Sequence, residues 1–298
     1  MTHFVLRLAA AATVLVAAPR VAPAQTPNAP QQAARGLAAN VRVSLWASGL
    51  SAPQGLASDG RGGVLVVENG AGRVTRFDRD GKNRSVLAEG LRAPAFALRA
   101  GAVLYVAERE GNSVAAVPLA GRRSLTRLSG QIEDPLGLAV SRSGSGGLLV
   151  VSHRQSTIRR FVANRGVFTL ETEPFLLPAS GAKYGWRDLA VAPDGALYVT
   201  DEVSGAILRR KPGGALENWA TGLDSPSGLA FGPGGSVYVT EEGSGRVSRV
   251  APNGTVTPLA EGLGKARAVL VLSPNALLVS DRAGGNLWKV TLPTTPGR

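Results

Sequence analysis

Six similar apolar segments recur along the 298-residue chain and limit what it can fold into. They read VLVVEN, LYVAER, LLVVSH, LYVTDE, VYVTEE and LLVSDR, at intervals of 40, 44, 49, 40 and 40 residues. Each follows another apolar strand pattern and a turn, and each precedes a Gly/Ser loop and a third strand pattern. A fourth strand pattern recurs as SVLAEGL, LENWATGL and TVTPLAEGL. Four short strands per repeat, without helical periodicity, predict an all-β six-bladed β-propeller made of four-stranded antiparallel blades.

The two ends of the chain indicate how the ring of blades closes. The last repeat stops after its third strand, LWKVTL, whereas VRVSLWASGL at residues 41–50 matches the fourth-strand pattern before the first repeat begins. We therefore expect this N-terminal strand to complete the last blade and close the ring, which removes exposed sheet edges that favour aggregation. The propeller domain is predicted to span residues 41–298.

The residues before the propeller have the pattern of a leader and a linker. Arg7 precedes an apolar run, and Ala22-Pro23-Ala24 follows it, which predicts a signal peptide over residues 1–24 with cleavage before Gln25. Residues 25–40 are rich in Ala, Pro and Gln and are predicted to form a flexible linker. No later segment is long and apolar enough to span a membrane, so we expect a periplasmic or secreted protein.

Cysteine is absent and histidine is scarce, which excludes several kinds of site. Without cysteine the chain has no thiolate zinc site, no cysteine nucleophile and no covalently attached haem. His3 belongs to the predicted leader, so His153 is the only histidine of the expected mature chain. A metal site made of several histidines of one chain is therefore excluded.

The chain is basic, with a formal net charge of +12 at pH 7. Basic pairs and triplets are spread along it, at 122–123, 159–160 and 209–211, which favours a generally basic surface. The alternative is a docking face for an acidic protein partner or an anionic membrane. Nucleic acid is disfavoured as a partner because no basic cluster is interleaved with aromatic residues.

Five of the six repeats place a carboxylate at the end of the second strand. These residues are Glu68, Glu108, Asp201, Glu241 and Asp281. One interpretation is a ring of acids around the channel that binds Ca²⁺. The other is structural, with each acid accepting hydrogen bonds from backbone N–H groups of a blade connection. Repetition favours the structural role, because a contact that joins blades is needed in every blade.

The third repeat departs from this rule. It has Ser152-His153 instead of an acid and its follower, and its connection to the fourth repeat, FLLPASGAKYGWRD, is longer than the others. That connection carries Lys183, Tyr184, Trp186, Arg187 and Asp188. Because these loops open on one face of a propeller, we expect His153 and the connection to meet beside the channel. The alternatives are a solvated histidine and a tryptophan that fills the gap between two blades.

Residues 185–201 resemble a segment of the soluble quinoprotein glucose and sorbosone dehydrogenases, six-bladed propellers that use pyrroloquinoline quinone. The matching residues are Gly185-Trp186-Arg187-Asp188-Leu189 and Pro193-Asp194-Gly195-Ala196-Leu197-Tyr198-Val199-Thr200-Asp201. The resemblance implies that Arg187 binds the cofactor's carboxylates, with Lys183, Tyr184 and Trp186 around it. It also implies His153 as catalytic base, with Asp188 beside it, and a role for Ca²⁺. Gly185 stands where the family has its first motif arginine, and the family's His-x-Gly-Gly context and calcium loops are absent.

The repeats also have a generic likeness to NHL-repeat propellers and to the gluconolactonase/regucalcin group. That group holds a divalent metal by Glu, Asn and Asp at the starts of inner strands. The comparable positions are assigned to Gln54, Ala95, Leu136, Asp188, Ser227 and Ala268, of which only Asp188 fits. Three hypotheses follow: a quinoprotein sugar or aldehyde dehydrogenase, a metal-dependent lactonase, hydrolase or lyase, and a non-catalytic propeller. The last would bind a sugar-like small molecule or a protein.

Overall fold

The computed structural model describes residues 33–293 except 122–123, 131, 142–145, 165–166, 172–174 and 177–184. The predicted signal peptide and the first part of the predicted linker lie outside the described residues. Within them, the chain forms six antiparallel sheets and one short 3-10 turn at Pro233–Gly235. The described residues include no helix long and apolar enough to cross a membrane.

The strands follow one another in the order that the repeats predict. The first two are β1 (Arg35–Gly36) and β2 (Arg42–Ala47). Blade one contains β3 (Pro53–Ser58), β4 (Val64–Glu68), β5 (Arg73–Phe77) and β6 (Arg84–Ala88). Blade two contains β7 (Pro94–Ala100), β8 (Val103–Glu108), β9 (Ser113–Pro118) and β10 (Thr126–Ser129). Blade three contains β11 (Pro135–Val140), β12 (Leu148–Ser152), β13 (Thr157–Asn164) and β14 (Val167–Leu170). Blade four contains β15 (Trp186–Val191), β16 (Leu197–Asp201), β17 (Ala206–Arg210) and β18 (Leu216–Ala220). Blade five contains β19 (Pro226–Phe231), β20 (Val237–Glu241), β21 (Arg246–Val250) and β22 (Val256–Glu261). Blade six contains β23 (Ala266–Ser273), β24 (Ala276–Asp281) and β25 (Asn286–Thr291).

The first strand of each blade is the inner strand, and the six inner strands surround the central channel. Each pairs with its blade on one side only, and each contacts the inner strands of both neighbouring blades, including β23 with β3. The predicted six-bladed propeller is confirmed. We call the side on which the inner strands begin the loop face, and the side on which they turn into the second strands the turn face.

Glycine permits the inner strands of some blades to approach closely. A Cβ atom at Gly55 would lie 2.5 Å from the Ala95 carbonyl oxygen, and one at Gly137 would lie 2.5 Å from the Asp188 Cα. A side chain at either position would push two blades apart. The narrow inner end of the channel therefore depends on residues without side chains.

The N-terminal strand completes blade six, as predicted. β2 pairs antiparallel with β25, with Arg42 opposite Thr291 and Val43 opposite Val290. Blade six thus gains the fourth strand that its own repeat lacks, and the ring has no open blade.

The end of the predicted linker pairs with blade five. β1 adds a fifth strand to blade five by pairing with β22, and the Arg35 guanidinium donates to Glu261 at 2.6 and 2.8 Å. Gly36 makes the following turn possible, because a Cβ atom there would lie 2.1 Å from the Val41 carbonyl oxygen. The low hydrophobicity that suggested a linker is compatible with a short edge strand, since edge pairing relies on backbone groups.

Candidate functional site

The residues that end the second strands are buried in the scaffold. None of the six is more than 4% exposed, and each accepts a backbone N–H from the segment that leads into its blade, at 2.6–3.0 Å. In chain order they are Glu68, Glu108, Ser152, Asp201, Glu241 and Asp281. Ser152 makes the same contact as the acids, accepting the Glu133 N–H and donating to the Glu133 carbonyl. These contacts support the structural role of the repeated acid.

The calcium alternative for the same acids finds no support in their surroundings. Across the described residues, no group of three or more His, Asp or Glu side chains is placed to hold a metal ion. The carboxylates are distributed one per blade and are saturated by N–H, hydroxyl and guanidinium donors. The carboxylate oxygens that could bind a calcium ion therefore already accept hydrogen bonds within the protein.

Glu68 allows a direct test of this structural role. Its carboxylate accepts from Ser51 N–H at 2.8 Å, from Arg73 Nε at 2.7 Å and from the Thr75 hydroxyl. Glu68→Ala leaves the buried Thr75 hydroxyl and the Ser51 N–H without their acceptor, so we expect a loss of about 2–3 kcal/mol in the free energy of unfolding. Arg73→Ala removes a partly exposed partner and leaves the Ser51 and Thr75 hydrogen bonds to Glu68 in place, so it should cost less than Glu68→Ala. Urea unfolding of both variants measures the difference, and equal losses would contradict the role.

The pH dependence of stability provides a second readout for Glu68. Burial alone would raise the pKa of Glu68, but hydrogen bonds from Arg73, Ser51 and Thr75 hold it below its usual value of 4.5. A carboxyl whose pKa is lowered by folding stabilises the protein above the unfolded pKa and loses that effect as the pH falls through the folded pKa. We therefore expect the difference between the native protein and Glu68→Ala to shrink below pH 4.5.

The residue after each of these positions lies on the loop face. In chain order these followers are Asn69, Arg109, His153, Glu202, Glu242 and Arg282. Four of them contact the next blade. Asn69 donates to the Pro94 carbonyl at 2.9 Å, and Arg109 forms an ion pair with Asp134 at 2.6 Å. The follower positions thus form a polar ring around the channel mouth whose members differ from blade to blade.

His153 is one of these blade-to-blade contacts. Its Nδ1 lies 2.8 Å from the Trp186 carbonyl oxygen, and its Nε2 lies 3.8 Å from a Glu202 carboxylate oxygen. A carbonyl only accepts, so Nδ1 carries the proton and Nε2 faces Glu202. The structure therefore brings His153 to blade four as expected, but its neighbour there is a glutamate that the sequence analysis did not select.

Arg187 meets the same glutamate. Its guanidinium donates from Nε and Nη2 to Glu202 Oε2, with the Nε contact at 2.6 Å, and it lies 4.0 Å from Glu242. Trp186, which precedes it, is fully buried in the core, which agrees with the alternative that it fills a gap between blades. Lys183 and Tyr184 lie outside the described residues.

The pairing register corrects the assignment of equivalent inner-strand positions. Trp186 pairs with Asp201, just as Pro53, Pro94, Pro135, Pro226 and Ala266 pair with the other second-strand ends. The following residues of the six inner strands are therefore equivalent and form one ring around the channel. They are Gln54, Ala95, Leu136, Arg187, Ser227 and Arg267. Asp188 and Ala268 were assigned to this ring but lie one residue further along their strands.

Arg267 is the second arginine of this inner ring, and the sequence analysis missed it. Its side chain is 1% exposed, donates to Glu242 at 2.5 Å, and lies 5.6 Å from the centre of the Phe96 ring on blade two. Burial lowers the pKa of Arg267 to about 10, with Arg187 acting in the same direction and Glu242 opposing. Burial alone would raise the pKa of Glu242, but Arg267 and Arg187 hold it below its usual value.

Asp188 faces a different environment from Arg187. It borders a cavity of 460 Å³ in the turn-face half of the channel, lined mainly by Leu, Ala and Val residues of all six inner strands. Its carboxylate oxygens accept the Leu189 N–H at 2.9 Å and the Leu229 N–H at 3.1 Å. Burial raises the pKa of Asp188 to about 7, although these hydrogen bonds and Arg267 act in the opposite direction. Asp188 therefore exchanges a proton near neutral pH.

Unpaired polar atoms mark the inner ring between the cavity and the loop face. Gln54 Oε1, Ser227 Oγ and Arg267 Nε are buried and lack a hydrogen-bond partner among the described residues. Buried polar atoms of this kind are usually satisfied by water or by a ligand. The channel therefore combines an apolar wall, one titratable carboxyl group and polar atoms that can still bind.

The loop-face residues do not fit pyrroloquinoline quinone. The cofactor carries three carboxylates, whereas the Arg187 guanidinium is already bonded to Glu202 and lies near Glu242. Bringing three further negative charges next to two glutamates is unfavourable, and the buried Trp186 offers no face for stacking. The described residues thus give no support to the quinoprotein hypothesis.

Comparison with known proteins places the chain by fold. No protein-family model matches it, and no curated protein matches its sequence. Among solved structures it is similar to a streptogramin B lyase, with TM-score 0.64 and 14% identity over 85% of this chain and 98% of that one. It is also similar to a putative gluconolactonase, with TM-score 0.64 and 16% identity over 86% of this chain and 96% of that one. A third similar structure is an auxiliary nutrient-binding protein from Bacteroides ovatus, with TM-score 0.66 and 12% identity over 85% of this chain and 76% of that one. Identities this low show the shared six-bladed fold, which serves lyases, lactonases and binding proteins alike.

Proposed function

We propose that this protein is a small-molecule-binding propeller that holds its ligand in the central channel, against Asp188. The observation that carries the proposal is the 460 Å³ cavity, which lies within the range of about 300–1,000 Å³ typical of ligand pockets. The cavity has the composition of such pockets, with a mainly aliphatic wall and few polar groups. The predicted signal peptide makes export part of the same proposal.

The chemistry of the wall defines the ligand class. Inner strands pair on one side only, so their other edges offer backbone N–H and C=O groups to the channel. Asp188 supplies the only carboxyl group of the described lining, and near neutral pH part of it is protonated and can donate as well as accept. A compact, uncharged molecule with hydroxyl or carbonyl groups, such as a sugar or a sugar lactone, fits this arrangement.

Binding should depend on the protonation of Asp188. A neutral ligand whose carbonyl accepts from the protonated carboxyl group should bind less tightly as the pH rises through about 7. Asp188→Asn keeps a neutral side chain that donates, so it should retain binding and lose the pH dependence. A panel of sugars and lactones screened by thermal shift, followed by calorimetry from pH 5 to 9, measures both effects.

A variant that fills the cavity controls for binding elsewhere. Ala139 lines the cavity and belongs to the central cluster with Phe96 and Leu189, so Ala139→Phe places a ring inside it. Leu270→Phe, at a half-buried lining position, is the milder second variant. We expect both to unfold cooperatively and to lose the ligand. A ligand that stabilises them as much as the native protein binds outside the channel and contradicts the proposal.

Hydrolysis of a lactone in the same cavity is the second candidate function. Asp188 favours it, because a carboxyl group with a pKa of about 7 is suited to general acid–base catalysis at neutral pH. One structural neighbour is described as a putative gluconolactonase, which supports the same choice of substrate. In this case Asp188→Asn should still bind the lactone but no longer open it, whereas a binding protein shows no turnover with either side chain.

A further inference from the structure

Arginines of blade one, together with Arg99 of blade two, form a group on the turn face. We call it the arginine cleft. It comprises two adjoining cavities of 250 and 390 Å³ that share Asp59, Arg61 and Arg76. The first is also bordered by Arg99, and the second by Asp78, Arg79 and Arg84. Five guanidinium groups thus surround two carboxylates.

Asp59, the carboxylate that borders both cavities, forms hydrogen bonds within the turn between β3 and β4. Asp59 Oδ1 accepts the backbone N–H groups of Arg61 at 2.7 Å and Gly63 at 2.8 Å, and Oδ2 accepts from Arg76 at 2.5 Å. Burial alone would raise the pKa of Asp59, but these contacts hold it below its usual value, so it stays ionised. Asp59 therefore neutralises Arg76, and among the described residues it forms no ion pair with the other arginines.

The remaining guanidiniums lack acidic partners. Among the described residues, no carboxylate forms an ion pair with Arg61, Arg79 or Arg99. Arg99 donates only to the Gly101 carbonyl, at 2.8 Å, which leaves its charge uncompensated. Like charges held close together destabilise a fold by repulsion. The cleft therefore keeps an excess of positive charge that the fold itself does not use.

Two glycines position these arginines against the turn. A Cβ atom at Gly60 would lie 2.8 Å from the Arg99 guanidinium carbon, and one at Gly62 would lie 2.9 Å from Arg79 Nη2. Both glycines have a positive φ, of 76° and 92°, which few other residues adopt. The turn thus lets two guanidinium groups lie close to its backbone.

Corresponding positions in blades four and five lack this excess. The counterparts of Arg76 in blades four and five are Arg209 and Arg249, which bind Glu217 at 2.7 Å and the Ser236 hydroxyl at 3.0 Å. Neither blade has arginines in the turn that precedes its second strand. In blades four and five the arginine at this place therefore has a partner within its own blade, whereas blade one adds Arg61 and Arg79 around it.

We propose that the arginine cleft is a second binding site, for a doubly charged oxyanion group carried by a small molecule. Planar guanidiniums present paired N–H donors that match the oxygens of phosphate or sulfate, and such charge-assisted bonds are short and strong. The two sources of this chemistry are a phosphate monoester and a sulfate ester. The site adjoins the turn-face end of the channel through Arg99, which lines both cavities, but it does not depend on the function proposed there.

Thermal unfolding in sodium phosphate, against sodium chloride of equal ionic strength, tests the site with a defined probe. The native protein should be stabilised in a saturable way by phosphate. The double variant Arg61→Gln/Arg79→Gln should need at least about tenfold more phosphate, since each lost charge-assisted bond changes affinity by roughly that factor. Without phosphate it should be as stable as the native protein or more so, because repulsion is relieved.

A charge-matched control and two ester ligands complete the experiment. Arg154→Gln/Lys211→Gln removes the same charge from exposed positions outside the cleft and should respond to phosphate like the native protein. Glycerol phosphate and a sulfated monosaccharide then distinguish the two sources, by which of them binds more tightly. Equal responses of the native protein and Arg61→Gln/Arg79→Gln overturn the proposal, and so does binding to anionic vesicles without any effect of free phosphate.

Discussion

A chain that begins at Gly49, and therefore lacks β2, is expected to lose its cooperative unfolding transition and to aggregate. β2 supplies the fourth strand of blade six, and its removal exposes the whole edge of β25. Trp46 also packs across the blade boundary, with its ring centre 5.4 Å from that of Phe77 in blade one. Losing the pairing, the buried Val41 and the half-buried Val43 and Trp46 removes a large part of the stability margin of a typical domain, which is about 5–15 kcal/mol.

The matched control is a chain that begins at Asn40, which loses β1 and keeps β2. β1 contributes two paired residues and one partly exposed ion pair, between Arg35 and Glu261, so its loss should cost about 1 kcal/mol. Thermal unfolding and size-exclusion chromatography compare the two chains. If both remain monomeric and unfold at similar temperatures, the closure of the ring by β2 is not what holds blade six.

Arg267→Ala is expected to cost about 3–5 kcal/mol of unfolding free energy, the largest effect of any single substitution considered. The guanidinium is buried, bonds Glu242 at 2.5 Å and lies over the Phe96 ring. Its removal leaves Glu242 in a buried place with only more distant cations, Arg282 at 3.4 Å and Arg187 at 4.0 Å. It also opens a void at the inner end of the channel, which adds to the loss.

Two further variants separate charge from volume at this position. Arg282→Ala removes the other, 47% exposed partner of Glu242 and should cost less than about 1 kcal/mol. Arg267→Met/Glu242→Gln removes both charges and partly fills the space, so urea unfolding should show a smaller loss than for Arg267→Ala alone. A loss no greater for Arg267→Ala than for Arg282→Ala would show that the buried pair is not important.

The fold was predictable because each repeat carries its own local signals. Turn residues, alternating strands and the acid at the end of the second strand recur in sequence, and the unpaired strand at 41–50 indicates how the ring closes. The register of the fourth inner strand was assigned wrongly because Trp186 stands where four other blades have proline. That single-residue shift moved Asp188 into the wrong ring.

The candidate site was only partly predictable. His153 and Arg187 come together because the unusual residues of blade three and its connection share one face. Glu202 and Glu242, which bind Arg187, were overlooked even though they occupy the same follower position as His153. Arg267 lies eighty residues after Arg187, at the same position of its blade, and only the pairing register reveals this. The resemblance to quinoproteins involved a turn and a strand shared by several repeats, so it carried information about fold.

Neighbouring residues on one strand explain why the cavity was missed. Arg187 and Asp188 are adjacent in sequence, and successive side chains of a strand point in opposite directions. Arg187 turns to the glutamates of the loop face, and Asp188 turns towards the inner strand of blade five. Their adjacency in the sequence motif suggests that the two side chains share one site. In the strand, however, they point to different halves of the channel.

Closure by β2 also determines when the molecule can finish folding. Arg42 and Thr291 are paired although 249 residues separate them, so this contact joins the first propeller strand to emerge from the ribosome with the last. Contacts between such distant residues form slowly because of the entropy of closing a long loop. Until β25 is available, β2 has no partner and the ring stays open. Completion of the ring is therefore a late step of folding, which has to wait until both ends of the propeller are present.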